Sequence, residues 1–351
     1  MPSRVELPPF HPARPHLVRP VRVDPSGRDG PTPKQARGPH WRRTSRGLYV
    51  PATVQRSLEQ RIVEAAAVLP DGGAVTGWAA LRWQGGHWFD GLDRTGGERP
   101  VVLASCAQDI TPQAGLVPCE ERLNPAEILV VDGLNVVVPA RAVFFEMRYA
   151  PTFVDAVVAM DMAAFADLVS IAEERAYIED HPGWIGVPQA RQALPWCDEN
   201  SWSPWETWLG VTWRRLTTRP RPRCNVPVFD LDGRHVGTPD LIDVEAAVLG
   251  QYDGAVHLAV GQRASDVRRD HAFREVGLET VSALAPDITR TAPLAQRIFE
   301  TYNRAARLDH PRRWTITPPP WWQPTLTVEQ RRALTGTARD ALERRRRFIA
   351  S

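Results

Sequence analysis

The sequence predicts an α/β protein of two modules that follow a proline-rich arm. Short β-branched runs bounded by Gly, Asn and Pro, which are typical of strands, recur within residues 101–138 and again within 227–257. Apolar residues recur at helical spacing from Trp205 to Leu216, which indicates an amphipathic helix. Residues 1–40 hold ten prolines and no apolar periodicity. We expect this arm to be largely disordered or draped, because it cannot bury enough apolar surface to offset its ordering entropy.

The composition changes near residues 190–200, where an irregular stretch separates the two modules. We therefore predict an arm over 1–40, an α+β module over 41–195, a second α/β module over 200–310, and a Pro/Trp linker with a basic helix over 311–351. The first module should begin with a strand pair over 41–52 that turns at Arg46-Gly47. Its predicted helices span 53–69, 77–85, 140–149 and 154–174. Its other predicted strands span 101–105, 128–132 and 134–138, with Asp132-Gly133 as a hairpin turn.

The second module should begin with a capped helix. Ser203 is the predicted N-cap, Pro204 the first helical residue and Glu206 the partner in a capping box. A three-stranded meander should follow, then a helix ended by Gly277 and a strand beginning near Val281. The predicted strands of the meander are Pro227–Leu231, Gly237–Ile242 and Val248–His257. The order is thus helix, three strands, helix, strand.

Lys34 is the only lysine among 43 basic residues, and this excludes several enzyme classes. A P-loop, a Schiff-base enzyme and a protein kinase each need a lysine in a setting that Lys34 does not have. We therefore expect no nucleotide cofactor. Charge is concentrated at the ends, with +7 over residues 1–50, +5 over 330–351 and −10 between them. Contact with a polyanion should begin at the termini, although such runs are as often only solvated surface.

The four cysteines are far apart and show no metal-ligand spacing, which is typical of reduced thiols in a cytosolic protein. The N-terminus has no signal-peptide pattern, and the most apolar helical stretch, over 154–171, is interrupted by three aspartates. We therefore expect a cytoplasmic protein without membrane segments.

The predicted meander brings together a set of polar side chains suited to a metal. Asp240 lies in one strand, and Gln251 and Asp253 lie two residues apart in the next, so those two share one face of the sheet. His257 follows four residues later. Carboxylates from neighbouring strands can hold Mg²⁺ or Mn²⁺, which activates water and offsets phosphate charge. Asp240, Asp253 and Gln251 are therefore the predicted metal ligands.

The motifs GTPDLID, GQYDGAVH and DVRRDHAFREVGL, within residues 200–285, resemble the endonuclease domain related to very short patch repair enzymes, a branch of the PD-(D/E)xK (restriction-endonuclease-like) fold. The resemblance implies an αβββαβ domain that acts on DNA. It implies catalytic roles for Asp240, Asp253 and His257, and matches Glu206 to an acid on the preceding helix. Asp266 and Arg269, or Asp270 in the same helix, match the helix signature, and Arg269 is a predicted nucleic-acid contact.

Two departures from that family bear on activity. Gln251 stands where the family usually has Glu, so the site lacks one negative charge and should bind Mg²⁺ more weakly. The lysine of the wider fold is also absent, although an Asp commonly stands there in this branch. The metal, His257 and arginines would then have to stabilise the negative charge of the transition state.

Residues 41–190 resemble the N-terminal region of actinobacterial AbiEi-family antitoxins of type IV toxin–antitoxin systems. The resemblance rests on WRRTSRGLYVPA, GAVTGWAALRWQGG and GLNVVVPARAVFFEMR. It implies a winged helix, with Arg42, Arg43 and Arg46 in its wing as DNA contacts, and a cognate toxin as a possible partner. Prolines precede Trp41 where the recognition helix should lie, so a complete winged helix is not expected.

Most of these residues also have a structural explanation. Glu206 can serve only the capping box, Asp253-Gly254 can be a turn, and His257 can be a hydrogen-bonded residue at a strand end. Asp266, Arg269 and Asp270 can form ion pairs on a helix surface, and Glu245 is a substitute ligand if Gln251 is not one. Trp321-Trp322 can pack a tail onto the body or stack on a base. Two hypotheses follow: a divalent-metal-dependent endonuclease weakened at Gln251, or a non-enzymatic antitoxin-like repressor or interaction protein with a degenerate nuclease fold.

Overall fold

The computed structural model describes residues 7–106, 109–253, 260–308 and 311–349, with side chains of 260–267 outside the description. The chain divides into two compact units, Met1–Glu146 and Met147–Ser351. Both combine helices with several sheets, so the α/β class that the sequence predicts is confirmed. Within the described ranges, no helix is both long and apolar enough to cross a membrane.

The first unit is built on a five-stranded mixed sheet of order β8-β7-β6-β10-β9, with a hairpin β1-β2 and a small sheet β3-β5-β4. Its strands are β1 (Pro9–His11), β2 (Arg14–Val18), β3 (Val21–Arg22), β4 (Trp41–Ser45), β5 (Leu48–Pro51), β6 (Gly73–Thr76), β7 (Val101–Ser105), β8 (Leu116–Cys119), β9 (Ile128–Val131) and β10 (Leu134–Val137). Its helices are α1 (Leu58–Ala66), α2 (Gly77–Trp83) and α3 (Pro139–Arg148).

Both predicted hairpins of the first unit are confirmed. Gly47 turns the chain between β4 and β5 at a φ of +75°. Asp132 and Gly133 both adopt positive φ between β9 and β10, as a tight two-residue hairpin requires.

Of the two expectations for the proline-rich arm, disordered or draped, the second describes residues 7–40, which contain β1, β2 and β3. Leu17 is buried in the core at 1% exposure. The Gln60 side chain holds the backbone of Val18 through bonds of 3.0 Å to its N–H and 2.9 Å to its carbonyl. The Arg14 guanidinium lies 3.9 Å from the Trp83 ring centroid. The arm is therefore draped on its own unit by a few specific contacts that composition does not reveal.

The second unit has eight helices among its described residues: α4 (Phe153–Phe165), α5 (Ile171–Asp180), α6 (Val187–Ala193), α7 (Pro204–Thr217), α8 (Val260–Glu275), α9 (Thr291–Ala305), α10 (Val328–Arg332) and α11 (Gly336–Ile349). Its strands are β11 (Arg223–Cys224), β12 (Val228–Asp230), β13 (His235–Gly237), β14 (Leu241–Asp243), β15 (Val248–Asp253), β16 (Glu279–Leu284) and β17 (Trp314–Thr315).

The unit boundary lies near residue 146 rather than at 190–200, because α4 packs with the later helices. Asp161 of α4 is fully buried and binds the Arg221 guanidinium and the Thr207 hydroxyl, each at 2.8 Å. The helix predicted over 154–174 is two helices, since the chain turns at Asp167 with a φ of +57°.

The predicted meander is wrong in its first strand. The main sheet has the order β11-β14-β15-β16, in which β15 and β16 are parallel and the other neighbours antiparallel. β12 pairs instead with β13 and β17 in a separate sheet. The predicted strand over 237–242 is divided at Pro239, which has no N–H to donate, so β13 and β14 belong to different sheets.

Each face of the main sheet is covered by helices. On one face, Leu241 and Val281 pack with Trp213 of α7 and Leu294 of α9. On the other face, Ile242 and Leu249 pack with Phe273 of α8 and with Trp314. The alternation along β15 therefore places residues 249, 251 and 253 on the face covered by α8.

Candidate functional site

The pairing of β14 with β15 brings the predicted ligands to one face of the main sheet. Leu241 lies opposite Gly250 in the antiparallel register, so Asp240 comes opposite Gln251. The Asp240 carboxylate also accepts a hydrogen bond from the backbone N–H of Tyr252 through Oδ2 at 2.7 Å. Asp240 is thus fixed against the strand that carries the other two predicted ligands.

Gln251 is held by α8. Nη2 of Arg269 donates to Oε1 of Gln251 at 3.1 Å. The amide Nε2 of Gln251 is buried and has no hydrogen-bond partner within the described part of the chain. The oxygen that was expected to face a metal is therefore already used by a guanidinium, and the group on the other side of the amide is a donor.

Asp253 ends β15 and is exposed, so its carboxylate can reach a bound ligand. His257 lies outside the described residues, as does the side chain of Asp266. Asp270 lies on α8, one residue after Arg269. The structure thus brings Asp240, Gln251, Asp253 and Arg269 to one face.

Glu206 is a buried acid that holds the start of α7. Its Oε2 accepts bonds from the backbone N–H of Trp202 at 2.8 Å and from the Asn225 amide at 2.5 Å, while Oε1 accepts one from the Ser203 hydroxyl at 3.1 Å. Burial raises the pKa of Glu206 to about 8, and the negative charge of Asp240 adds to the rise. The side chain is therefore neutral at pH 7, next to the predicted metal ligand.

The site offers few oxygen ligands for a divalent cation. Across the described ranges, no three His, Cys, Asp or Glu side chains converge as a metal site would require. Asp240 and Asp253 supply two carboxylates, Glu206 is protonated at neutral pH, and Arg269 adds a positive charge beside Gln251. Mg²⁺ is commonly bound by one or two carboxylates with waters and substrate phosphates, so these residues fit a weak site.

The predicted DNA-contacting arginines of the first unit differ in their environment. Arg42 forms a bidentate salt bridge with the buried carboxylate of Glu64, at 2.7 and 2.8 Å, which commits this guanidinium to the fold. Arg43 and Arg46 are exposed on the β4–β5 hairpin. Among the described residues before β4, the one helical element is a single 3-10 turn, Gln35–Arg37, which is too short for a recognition helix.

Two further side chains, Arg345 and His235, lie near the site and were not among the predicted site residues. Arg345 of α11, from the basic run for which the sequence left polyanion contact and solvated surface open, lies over the Trp202 ring at 3.8 Å from its centroid. His235 of β13 packs on Trp322, with ring centroids 4.9 Å apart. Partial burial lowers the pKa of His235, and the charge of Arg345 contributes to the shift.

The elements around the candidate site follow the order helix α7, strands β11, β14 and β15, helix α8 and strand β16, with the β12–β13 hairpin inserted before β14. Because β15 and β16 are parallel, α8 crosses one face of the sheet between them. Comparison of the chain with models of known protein families, with curated proteins and with solved structures finds no match.

Proposed function

We propose that this protein acts on DNA as a divalent-metal-dependent endonuclease whose site is weakened at Gln251. The observation that carries the proposal is the register of β14 and β15, which sets Asp240 beside Gln251 with Asp253 further along the same face. Two carboxylates on neighbouring strands at the exposed end of a sheet suit phosphodiester hydrolysis better than a merely structural role. The restriction-endonuclease-like resemblance of this region agrees with the order of its elements.

In this proposal Asp240 and Asp253 hold Mg²⁺ or Mn²⁺, which when bound supplies a water of lowered pKa and neutralises phosphate charge. The backbone N–H of Tyr252 orients the Asp240 carboxylate. Arg269 adds a positive charge near a phosphate at Gln251. His257 retains its predicted role of positioning water or a phosphate.

Supercoiled plasmid with Mg²⁺ or Mn²⁺ provides the test. Asp240→Asn keeps an oxygen for the Tyr252 N–H but removes the charge. We expect the cleavage rate of this variant to fall by about 100-fold or more. Asp180→Asn, an exposed change at the end of α5, is the matched control and should cleave like the wild type. Equal cleavage by the wild type and Asp240→Asn, or none by either, contradicts the proposed activity.

A specific observation favours a second function, a non-enzymatic DNA-binding repressor or interaction protein. The Gln251 amide is bound by Arg269 through its oxygen and leaves a buried donor on its other side. Donors and a guanidinium bind a phosphate oxygen, whereas they repel a cation. This function predicts salt-sensitive DNA binding in EDTA that persists in Asp240→Asn. By the resemblance of the first unit, binding of a cognate toxin belongs to the same alternative.

A further inference from the structure

Four aromatic side chains cluster on the small sheet of the second unit, and we call them the aromatic platform: Phe229, His235, Trp321 and Trp322. Phe229 is fully buried and forms its base. The Trp322 ring stands edge-on to Phe229, with centroids 5.0 Å apart, and Trp321 stands edge-on to the same ring at 6.1 Å. His235 contacts Trp322 from β13.

Within the platform, Trp322 is the anchor and Trp321 is presented to solvent. Trp321 is 63% exposed, so its indole is not needed to attach this segment to the body. The preceding residues Pro318–Pro320 restrict the backbone, and the N–H of Trp322 donates to the carbonyl of Pro319 at 2.9 Å. A stiff segment that carries an exposed indole is preordered, and binding to it costs little conformational entropy.

The platform lies beside the candidate site. A Cβ on Gly237 would come within 3.5 Å of the Arg269 side chain, so β13 abuts the residue that binds Gln251. His235 is two residues before Gly237 on the same strand, a separation of about 7 Å. β13 therefore connects the platform to the Arg269 side of the candidate site.

Both arginines and acids lie around the platform. Arg345 acts electrostatically on His235, and Arg234 in the adjoining turn is exposed. The acid in the β12–β13 turn, Asp230, is used by the backbone N–H groups of residues 232 and 234 at 3.0 and 2.8 Å. Asp232 is exposed, and Arg234 balances it. Trp321 offers a base an exposed ring on which to stack, and Arg234 and Arg345 are cations of the same neighbourhood that can contact the phosphates.

We propose that the aromatic platform binds an unpaired base of a single-stranded DNA segment by stacking on Trp321, with arginines contacting the adjacent phosphates. This rests on the proposed action on DNA and specifies it: the substrate presents single-stranded or unpaired nucleotides next to the Asp240 site. Stacking on an aromatic side chain tolerates any base, so the platform selects strandedness rather than sequence.

The test measures binding of fluorescent oligothymidylate to the full chain in EDTA, by anisotropy. Trp321→Ala should weaken binding about 10-fold or more, and Trp321→Phe should restore most of the loss. Phe299→Ala is the matched control, because Phe299 is an exposed aromatic side chain on α9. A blunt-ended duplex of the same length should bind Trp321→Ala and the wild type alike.

Unchanged oligothymidylate binding by Trp321→Ala overturns the proposal, as does an equal loss for duplex, which would mean a contact with phosphate alone. Absence of any single-strand binding by the wild type overturns it as well. The endonuclease proposal is judged separately by plasmid cleavage with Mg²⁺, whereas the stacking proposal is judged by binding in EDTA, where no divalent metal is available. The unfolding midpoint of Trp321→Ala, compared with that of the wild type, verifies that the variant is folded.

Discussion

Arg269 and Gln251 are joined by a hydrogen bond in which Nη2 of the arginine donates to Oε1 of the glutamine over 3.1 Å. Because this bond identifies the oxygen end of the amide, Nε2 lies on the other side, where it is buried without a hydrogen-bond partner among the described residues. A buried unpaired donor costs about 1–3 kcal/mol. A glutamate at this position would pair its charge with Arg269 and offer a second oxygen instead of that donor.

The first prediction concerns this position. Gln251→Glu should raise the affinity for Mn²⁺ by about 10-fold or more, because the substitution adds a third carboxylate to those of Asp240 and Asp253. Titration calorimetry measures the affinity, and plasmid cleavage over a range of Mg²⁺ concentrations measures the activity. Gln296→Glu, an exposed change on α9, controls for the added charge. If Gln251→Glu binds metal no better than Gln296→Glu, the site is not a metal site.

The second prediction concerns pH. The pKa of Glu206 is about 8 in the folded chain and about 4.5 in the unfolded chain, so the folded state binds the proton more tightly. This contribution to stability is fully present below pH 4.5 and is lost progressively as the pH rises to about 8. Glu206→Gln keeps a neutral side chain of the same shape. It should flatten the fall in stability between pH 5 and pH 8, measured by urea unfolding.

Glu300→Gln on α9 is the control for that experiment, because Glu300 is exposed and should leave the slope unchanged. A slope for Glu206→Gln that matches the wild type would mean that Glu206 ionises normally.

The third prediction concerns the turn between α4 and α5. The Asp167 carboxylate accepts bonds from Arg331 at 2.7 Å, Arg346 at 2.8 Å and Arg339 at 2.9 Å. Burial acts to raise the pKa of Asp167, but the bonds and charges of Arg346 and Arg331 outweigh it and hold the pKa below its usual value. Removing this charge leaves two buried guanidinium groups without their counterion.

Asp167→Asn should therefore cost about 3–5 kcal/mol of unfolding free energy, measured by urea unfolding at pH 7. Asn tolerates the positive φ of this residue, so the change isolates the charge from the backbone geometry. Asp340→Asn on α11 is exposed and should change stability by less than about 0.5 kcal/mol. Similar stabilities for the two variants would refute the role of Asp167 as the anchor of α10 and α11.

The features that the sequence predicted well are local ones. The turns at Arg46-Gly47 and Asp132-Gly133 follow from residues that tolerate positive φ, and the N-cap Ser203 accepts a bond from the Glu206 N–H as its spacing predicts. The two-residue spacing of Gln251 and Asp253 predicts a shared strand face because a strand has a period of two.

The features that could not be predicted depend on distant partners. β12 pairs with Trp314 and Thr315, more than eighty residues away, and no local pattern distinguishes that partner from β14. Asp167 meets arginines 164 and 179 residues further along the chain, so its role is not visible in its own helix. The Arg269–Gln251 bond likewise depends on how α8 packs across the sheet, which spacing in sequence does not determine.

The last prediction compares two adjacent glutamates of α5. Glu174 is fully buried, and neither carboxylate oxygen has a hydrogen-bond partner among the described residues. Burial raises the pKa of Glu174 well above its usual value, and the charge of Arg148 offsets only part of the rise. Glu173, by contrast, accepts a bond from the N-cap Ser170 at 2.6 Å and pairs with Arg332 at 2.7 Å.

Glu174→Met should raise the unfolding free energy by about 1–3 kcal/mol, because an apolar side chain of similar volume removes an unsatisfied buried acid. Glu173→Met should lower it by about 1 kcal/mol through loss of the cap. Because the pKa of Glu174 is raised, the wild type loses stability as the pH rises above 4.5, and the gain from Glu174→Met should be larger at pH 8 than at pH 5. Urea unfolding at the two pH values measures both effects, and a destabilised Glu174→Met protein would show that the carboxyl is paired and stabilising.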